Sequence, residues 1–202
     1  MLFRLLTFNF SPLSMKQIFL IRHFKCANAD GLCYGRTDLL PDASFDDSMA
    51  ALKCKLTGLA VEKIVASPLK RCSLIAQQLG CAESIALEPR IMEVDFGRWE
   101  GKLWNDIPRE ELDAWGASFV ESAPHGGESF RQLYERAWAA FQDIRQLPFE
   151  RIAVVTHAGP IRAILAGLLE IPLHRAFALN PNYGSVTKIT CIDDSNITID
   201  FL

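Results

Sequence analysis

Three short apolar runs, each stopping at a polar set, constrain this chain more than any other feature. Ile18-Phe-Leu-Ile21 stops at Arg22-His23, Lys63-Ile-Val-Ala-Ser67 stops at Pro68-Leu69-Lys70-Arg71, and Arg151-Ile-Ala-Val-Val-Thr156 stops at His157-Ala158-Gly159-Pro160. Short β-branched runs bounded in this way read as buried strands. Helical spacing follows two of them. The segment LKRCSLIAQQLG is expected to form a helix with proline in its first turn and Gly80 as its stop, and IRAILAGLLE follows a turn at 157–160. The longest amphipathic stretch runs from Glu128 to Leu147, with Phe130, Leu133, Tyr134, Ala137, Trp138, Phe141 and Ile144 at helical intervals. Segments 185–193 and 196–202 alternate apolar and polar residues across Asp194-Ser195, which predicts a hairpin or an edge strand. Strands alternating with helices predict an α/β fold, a three-layer α/β/α sandwich with a mainly parallel central sheet.

With 202 residues, 50% of them hydrophobic, the chain suits one domain that buries roughly two thirds of its unfolded surface. The balance of 21 Lys+Arg against 24 Asp+Glu excludes a general polyanion binder, so neither nucleic acid nor a membrane surface is expected as a partner. No stretch reaches the roughly 18 apolar residues of a membrane span. The six cysteines form no C-x-x-C pair and read as reduced thiols of a cytoplasmic protein. Residues 1–14 read as an extension or a misassigned start ahead of Met15, and residues 15–202 as a single domain with a helical insertion at about 103–125. Composition leaves the oligomeric state open.

Parallel strands bring their carboxyl ends to one edge of a sheet, where ligands bind in folds of this class. His23 and His157 would then share a cleft with Arg22 and Arg71. Guanidinium groups match phosphate oxygens, a helix N-terminus offers N–H groups to an anion, and a neutral imidazole can act as a nucleophile. The chemistry implied is phosphoryl transfer. An alkoxide leaving group also needs a proton, and Glu93, Asp95 and Glu100 are the candidate acids, although each alone would ordinarily be a solvated surface residue. Asp95-Phe96-Gly97 spells the kinase magnesium motif without a glycine-rich loop, a catalytic H-R-D or a strand lysine, so that match is accidental.

Arg22-His23, Ser67-Pro68-Leu69-x-Arg71-Cys72, Glu93-x-Asp95-Phe96-Gly97-x-Trp99-Glu100-Gly101, Gly126-Gly127-Glu128-Ser129 and Thr156-His157-Ala158-Gly159 together resemble the ordered motifs of the histidine phosphatase superfamily, also called phosphoglycerate mutase-like. The resemblance runs from about Ile18 to Leu179. Segments 31–38, 95–101 and 182–186 are most similar to its α-ribazole phosphatase branch. That resemblance implies a phosphoglycerate mutase-like fold and a metal-independent phosphomonoesterase, with no cofactor, that acts on a small phosphorylated metabolite. The metabolite implied is α-ribazole 5′-phosphate of cobalamin biosynthesis. It implies His23 as the nucleophile that becomes phosphohistidine, Arg22, Arg71 and His157 as holders of the equatorial phosphoryl oxygens, and Glu93 as the general acid. Asn28, Tyr34, Gly35, Arg36 and Ala158 would contact the substrate. His23 must then be neutral and Glu93 protonated when the leaving group departs, which predicts a bell-shaped or acid-shifted rate profile.

Some residues depart from that pattern. The family places glycine and then threonine shortly after the Arg-His pair, whereas Phe24, Lys25 and Cys26 follow here. Phe24 adds bulk where backbone should approach a phosphate, and Cys26 reads as a core or loop thiol rather than a catalytic one. Trp104, Trp115 and Phe119 of the insertion read as core aromatics in preference to a cover over a planar base. The alternatives are a mutase, a sugar-phosphate phosphatase, and an inert phosphate-binding module.

Overall fold

A computed structural model of the chain describes residues 15–80, 82–192 and 196–202. The expected extension at 1–14 and the turn at Asp194-Ser195 lie outside the described residues. The strands are β1 (Lys16–Arg22), β2 (Lys63–Ala66), β3 (Ile85–Leu87), β4 (Arg151–Thr156), β5 (Val186–Cys191) and β6 (Ile197–Phe201). They form one sheet in the order β3-β2-β4-β1-β5-β6. β1 to β4 pair in parallel, while β5 runs antiparallel to both β1 and β6. The sheet is therefore mainly parallel, and the closing segments form its antiparallel end.

Helices cover both faces, and the period-two alternation of the central strands decides which residue serves which face. Ile18, Leu20, Ile152 and Val154 pack with α4 (Phe130–Arg145) and α5 (Ala158–Leu168) through Phe141, Ile161 and Ile164. Phe19, Ile21, Ala153 and Val155 face the other way, against α1 (Phe45–Leu56) and α2 (Lys70–Leu79) through Leu52, Cys72 and Ile75. The three-layer sandwich is thus built by strands apolar on both sides.

Two local readings change, and one helix is new. Pro68 lies outside α2, because Leu69 is its N-cap. The segment 157–160 is no free turn: His157 caps α5 and Ala158, Gly159 and Pro160 form its first turn. Helix α1 was not announced by apolar spacing, since only Met49 and Leu52 of it are buried, although Asp46 and Asp47 in its first turn and Lys53 and Lys55 in its last complement the helix dipole. Within 103–125 the chain forms a 3-10 turn, Trp104–Asp106, and helix α3 (Arg109–Ala117). Trp104, Leu112 and Trp115 pack on buried Cys33, Trp99 and Ile107 as a satellite cluster beside the sheet. Among the described residues no helix is long and apolar enough to cross a membrane.

Candidate active site

Strand register creates the centre of the site. Arg22 of β1 lies opposite Thr156 of β4, and the His23 N–H donates to the Thr156 carbonyl at 2.9 Å. The next residue on each strand is a histidine. Their rings stand edge to face with centroids 5.0 Å apart, and both are almost fully buried.

Each tautomer follows from its partners. His23 Nδ1 lies 2.7 Å from the Phe24 carbonyl, which can only accept, so Nδ1 carries the proton and Nε2 keeps its lone pair. Arg71 Nε donates to His157 Nδ1 at 3.2 Å, so His157 bears its proton on Nε2, 2.8 Å from the Ser67 hydroxyl. Burial, reinforced by Arg71 and Arg22 against the opposing Phe24 carbonyl, pushes His23 down to about 3. Burial and then the neighbouring His23 and Arg71 hold His157 well below the usual imidazole range. Both rings are neutral at pH 7.

Two arginines flank the pair. Arg71 is fully buried at the start of α2, with Nη1 donating to the Thr37 carbonyl at 2.7 Å and Nη2 to that of Gly35. Arg22 donates through Nη1 to the Pro181 carbonyl at 2.8 Å, and its Nε is buried without a protein acceptor. The Arg22 guanidinium sits 3.8 Å above the Tyr183 ring and that of Arg71 5.3 Å from the Tyr34 ring. The two tyrosine hydroxyls meet at 2.8 Å and tie these platforms together.

The carboxylates separate by environment. Glu93 accepts from the Val94 N–H at 3.0 Å and from the Gly159 N–H at 3.1 Å, which places it at the N-terminus of α5, on the His157 side of the cleft. Asp95 accepts from Gly97 N–H, and Glu100 is consumed by backbone amides of the 35–37 loop. The segment bearing Glu93 is held from behind by Arg136 of α4. Its guanidinium donates to the carbonyls of Arg90, Met92 and Glu93 and to both oxygens of Glu128. Beside Glu93 and Gly159 opens a cavity of about 350 Å³ walled by Phe96, Trp104, Trp115, Phe119, Phe130 and Phe177, with Tyr34, Glu128 and Arg162 as its other polar residues.

Arg22, His23, Arg71, Glu93, His157, Tyr34 and Ala158 are thus gathered where the sequence places them, and Gly35 supports Arg71 through its carbonyl. Two of the named residues lie apart from that group. Arg36 pairs with Asp95 at 3.8 Å and Glu128 at 3.6 Å, so its partners are carboxylates rather than the histidine cleft. Asn28 is exposed with φ 54°, and its residue type is explained by tolerance of left-handed backbone. Phe24 does not crowd the site: its ring is buried in the core against Phe45, and only its carbonyl faces His23. Cys26 is a buried thiol 3.9 Å from His23 Nδ1, and burial pushes its pKa up, as suits a packing residue. Trp104, Trp115 and Phe119 combine both readings, packing on other aromatics while walling the cavity. Arg136, Arg162 and Phe177 were not singled out, because nothing local marks them and only the fold brings them to the cleft, whereas Tyr183 lies in the 182–186 segment that carries part of the resemblance.

The model of the histidine phosphatase superfamily (branch 1) matches residues 18–200. The chain belongs to the histidine phosphatase superfamily. This histidine phosphatase is 27% identical over 194 residues to phosphoserine phosphatase 1 of Hydrogenobacter thermophilus, covering 92% of this chain and 91% of the relative. It is equally 27% identical, over 182 residues, to the adenosylcobalamin/alpha-ribazole phosphatase of Escherichia coli, covering 86% of this chain and 89% of that one. The crystal structure of the alpha-ribazole phosphatase from Shigella flexneri superposes with a TM-score of 0.83 at 22% identity, over 92% of this chain and 95% of that one. The fold is therefore phosphoglycerate mutase-like, and the enzyme is a phosphatase.

Proposed function

We propose that the enzyme hydrolyses phosphate monoesters through a phosphohistidine on His23. The supporting geometry is the tautomer: with Nδ1–H committed to the Phe24 carbonyl, Nε2 is the nucleophilic nitrogen. It attacks phosphorus while the ester P–O bond breaks and Glu93 delivers a proton to the departing alcohol. Glu93 then takes a proton from water, whose oxygen attacks phosphorus and breaks the P–N bond, releasing phosphate and restoring His23. Charge on the equatorial oxygens is met by the remaining N–H groups of Arg22 and Arg71, with the first-turn N–H of Ala158 close by. His157 has both nitrogens engaged by Arg71 and Ser67, so it reaches a phosphoryl oxygen only by exchanging one of those partners.

The substrate we favour is α-ribazole 5′-phosphate. One observation carries this reading: the cavity on the Glu93 side, where the leaving alcohol must lie, is walled by seven aromatic rings, Tyr34 among them. Its size is at the lower end of the range for ligand pockets, about 300–1,000 Å³. A ring-bearing nucleoside alcohol fits such walls, whereas the carboxylate of phosphoserine or 3-phosphoglycerate would be desolvated beside Glu93 and Glu128 with Arg162 as the lining cation. Phosphate release should be compared for α-ribazole 5′-phosphate, phosphoserine and 3-phosphoglycerate, with His23→Ala as control. The expected order places α-ribazole 5′-phosphate first. A preference for phosphoserine would overturn the substrate, and failure to trap an acid-labile phosphohistidine would overturn the mechanism.

A further inference from the structure

We infer that Glu100 is a positioning residue for phosphoryl transfer, acting through the 35–37 loop on the guanidinium of Arg71. This rests on the reading that Arg71 holds the phosphoryl group. Glu100 Oε1 accepts from the N–H groups of Gly35 at 3.0 Å, Arg36 at 2.9 Å and Phe96 at 3.1 Å. Oε2 accepts from Gly35 N–H at 3.1 Å, Thr37 N–H at 2.9 Å and the Thr37 hydroxyl. Successive amides aimed at one carboxylate fix the peptide planes between them. The Gly35–Arg36 peptide shows the consequence, because its N–H is held by Glu100 while its carbonyl, on the opposite side of a trans peptide, accepts from Arg71 Nη2. The Thr37 carbonyl receives Arg71 Nη1 at 2.7 Å.

The arrangement has an electrostatic reason. Among the described residues no carboxylate lies in ion-pair range of Arg71, whose donors go to carbonyls and to His157. A carboxylate placed directly on that guanidinium would compete with the phosphoryl oxygens for its charge. Glu100 aligns it through neutral peptides and leaves the charge for the substrate. Position 35 must be glycine for the loop to approach this closely: a Cβ there would lie 1.7 Å from the Val94 carbonyl oxygen and 2.9 Å from Glu100 Oε1. Burial pushes the Glu100 pKa up, but the hydrogen bonds from Thr37, Arg36 and Gly35 outweigh it and hold the carboxylate below its ordinary range, so it stays an acceptor at neutral pH.

The test is a double-mutant cycle with Arg71→Met, read by binding of orthovanadate and by kcat on p-nitrophenyl phosphate. Glu100→Gln turns an amide nitrogen toward the loop donors. With Arg71 present it should weaken vanadate binding and lower kcat, each on the order of 10- to 100-fold. In the Arg71→Met background the same change should have little further effect. Thr37→Val removes only the hydroxyl donor and should give a smaller loss with the same dependence on Arg71, which decides the matter should Glu100→Gln not fold. Losses that persist in full without Arg71, or unchanged vanadate affinity in a folded variant, would overturn the inference. A wild-type protein that binds vanadate without turnover would instead strike the phosphohistidine mechanism, and Arg71→Met with undiminished vanadate affinity would remove the premise.

Discussion

His23 and His157 are neutral because a buried imidazolium beside two arginines is costly, and the same physics makes the fold sensitive to acid. Their folded-state pKa values lie below the ordinary 6.5, that of His23 at about 3, so the unfolded chain takes up protons first as pH falls. The contribution is absent above about pH 6.5, and stability declines below it by roughly 1 kcal/mol per pH unit for each ring. Urea unfolding at pH 7 and pH 4.5 should show that decline, and His23→Gln should reduce its slope. An unchanged midpoint would contradict neutral burial. For Glu93 the leaving group is the diagnostic. Glu93→Gln should cost about 10²- to 10⁴-fold on an alkyl phosphate, which needs its leaving oxygen protonated, and far less on p-nitrophenyl phosphate, whose phenolate leaves unaided. Equal losses on both would remove the general acid. Among single residues, Arg22, His23, Arg71 and His157 were readable as strand-end polar residues. The other carboxylates were sorted only by what the fold places around them.

Elements hold these residues by donating what each segment lacks. Ser129 and Gln132 form a capping box at the start of α4, and that helix presents Arg136 to the chain bearing Glu93. Arg136 and Glu128 are both largely shielded, so Arg136→Met leaves three carbonyls and a carboxylate without their donor. The expected cost is about 3–5 kcal/mol, measurable by urea denaturation, with a fall in kcat for alkyl phosphates as Glu93 loses its register. A loss below 1 kcal/mol would mean that the segment is held otherwise. Helix α4 was legible because its apolar stripe is continuous, and β1, β2 and β4 because strands buried on both faces read as apolar runs. Helix α1 was not, since a helix lying mostly in solvent needs few apolar positions. Strand β3 was missed as well: three residues at a sheet edge carry too little pattern.

Across the whole molecule, strand order puts the histidine-arginine set at the ends of β1, β2 and β4, while the aromatic cavity beside it is walled by residues from Phe96 to Phe177. Trp104→Ala opens one wall without touching the histidine pair. It should raise KM for α-ribazole 5′-phosphate about tenfold, the scale of one lost apolar contact, and leave turnover of phosphoserine unchanged. Equal effects on both substrates would count against an aromatic leaving-group site. By itself the sequence determined the layered α/β architecture and the histidine-arginine set, because strand periodicity and strand-end polarity are local properties written in consecutive residues. Tertiary structure alone decided that Asp95 and Glu100 are taken up by backbone amides, that Arg36 turns to Asp95 and Glu128, and that the aromatics of 103–125 help wall a cavity. Those outcomes depend on which distant backbone amides, carbonyls and rings arrive at a given point, and chain separation hides them until the sheet has assembled.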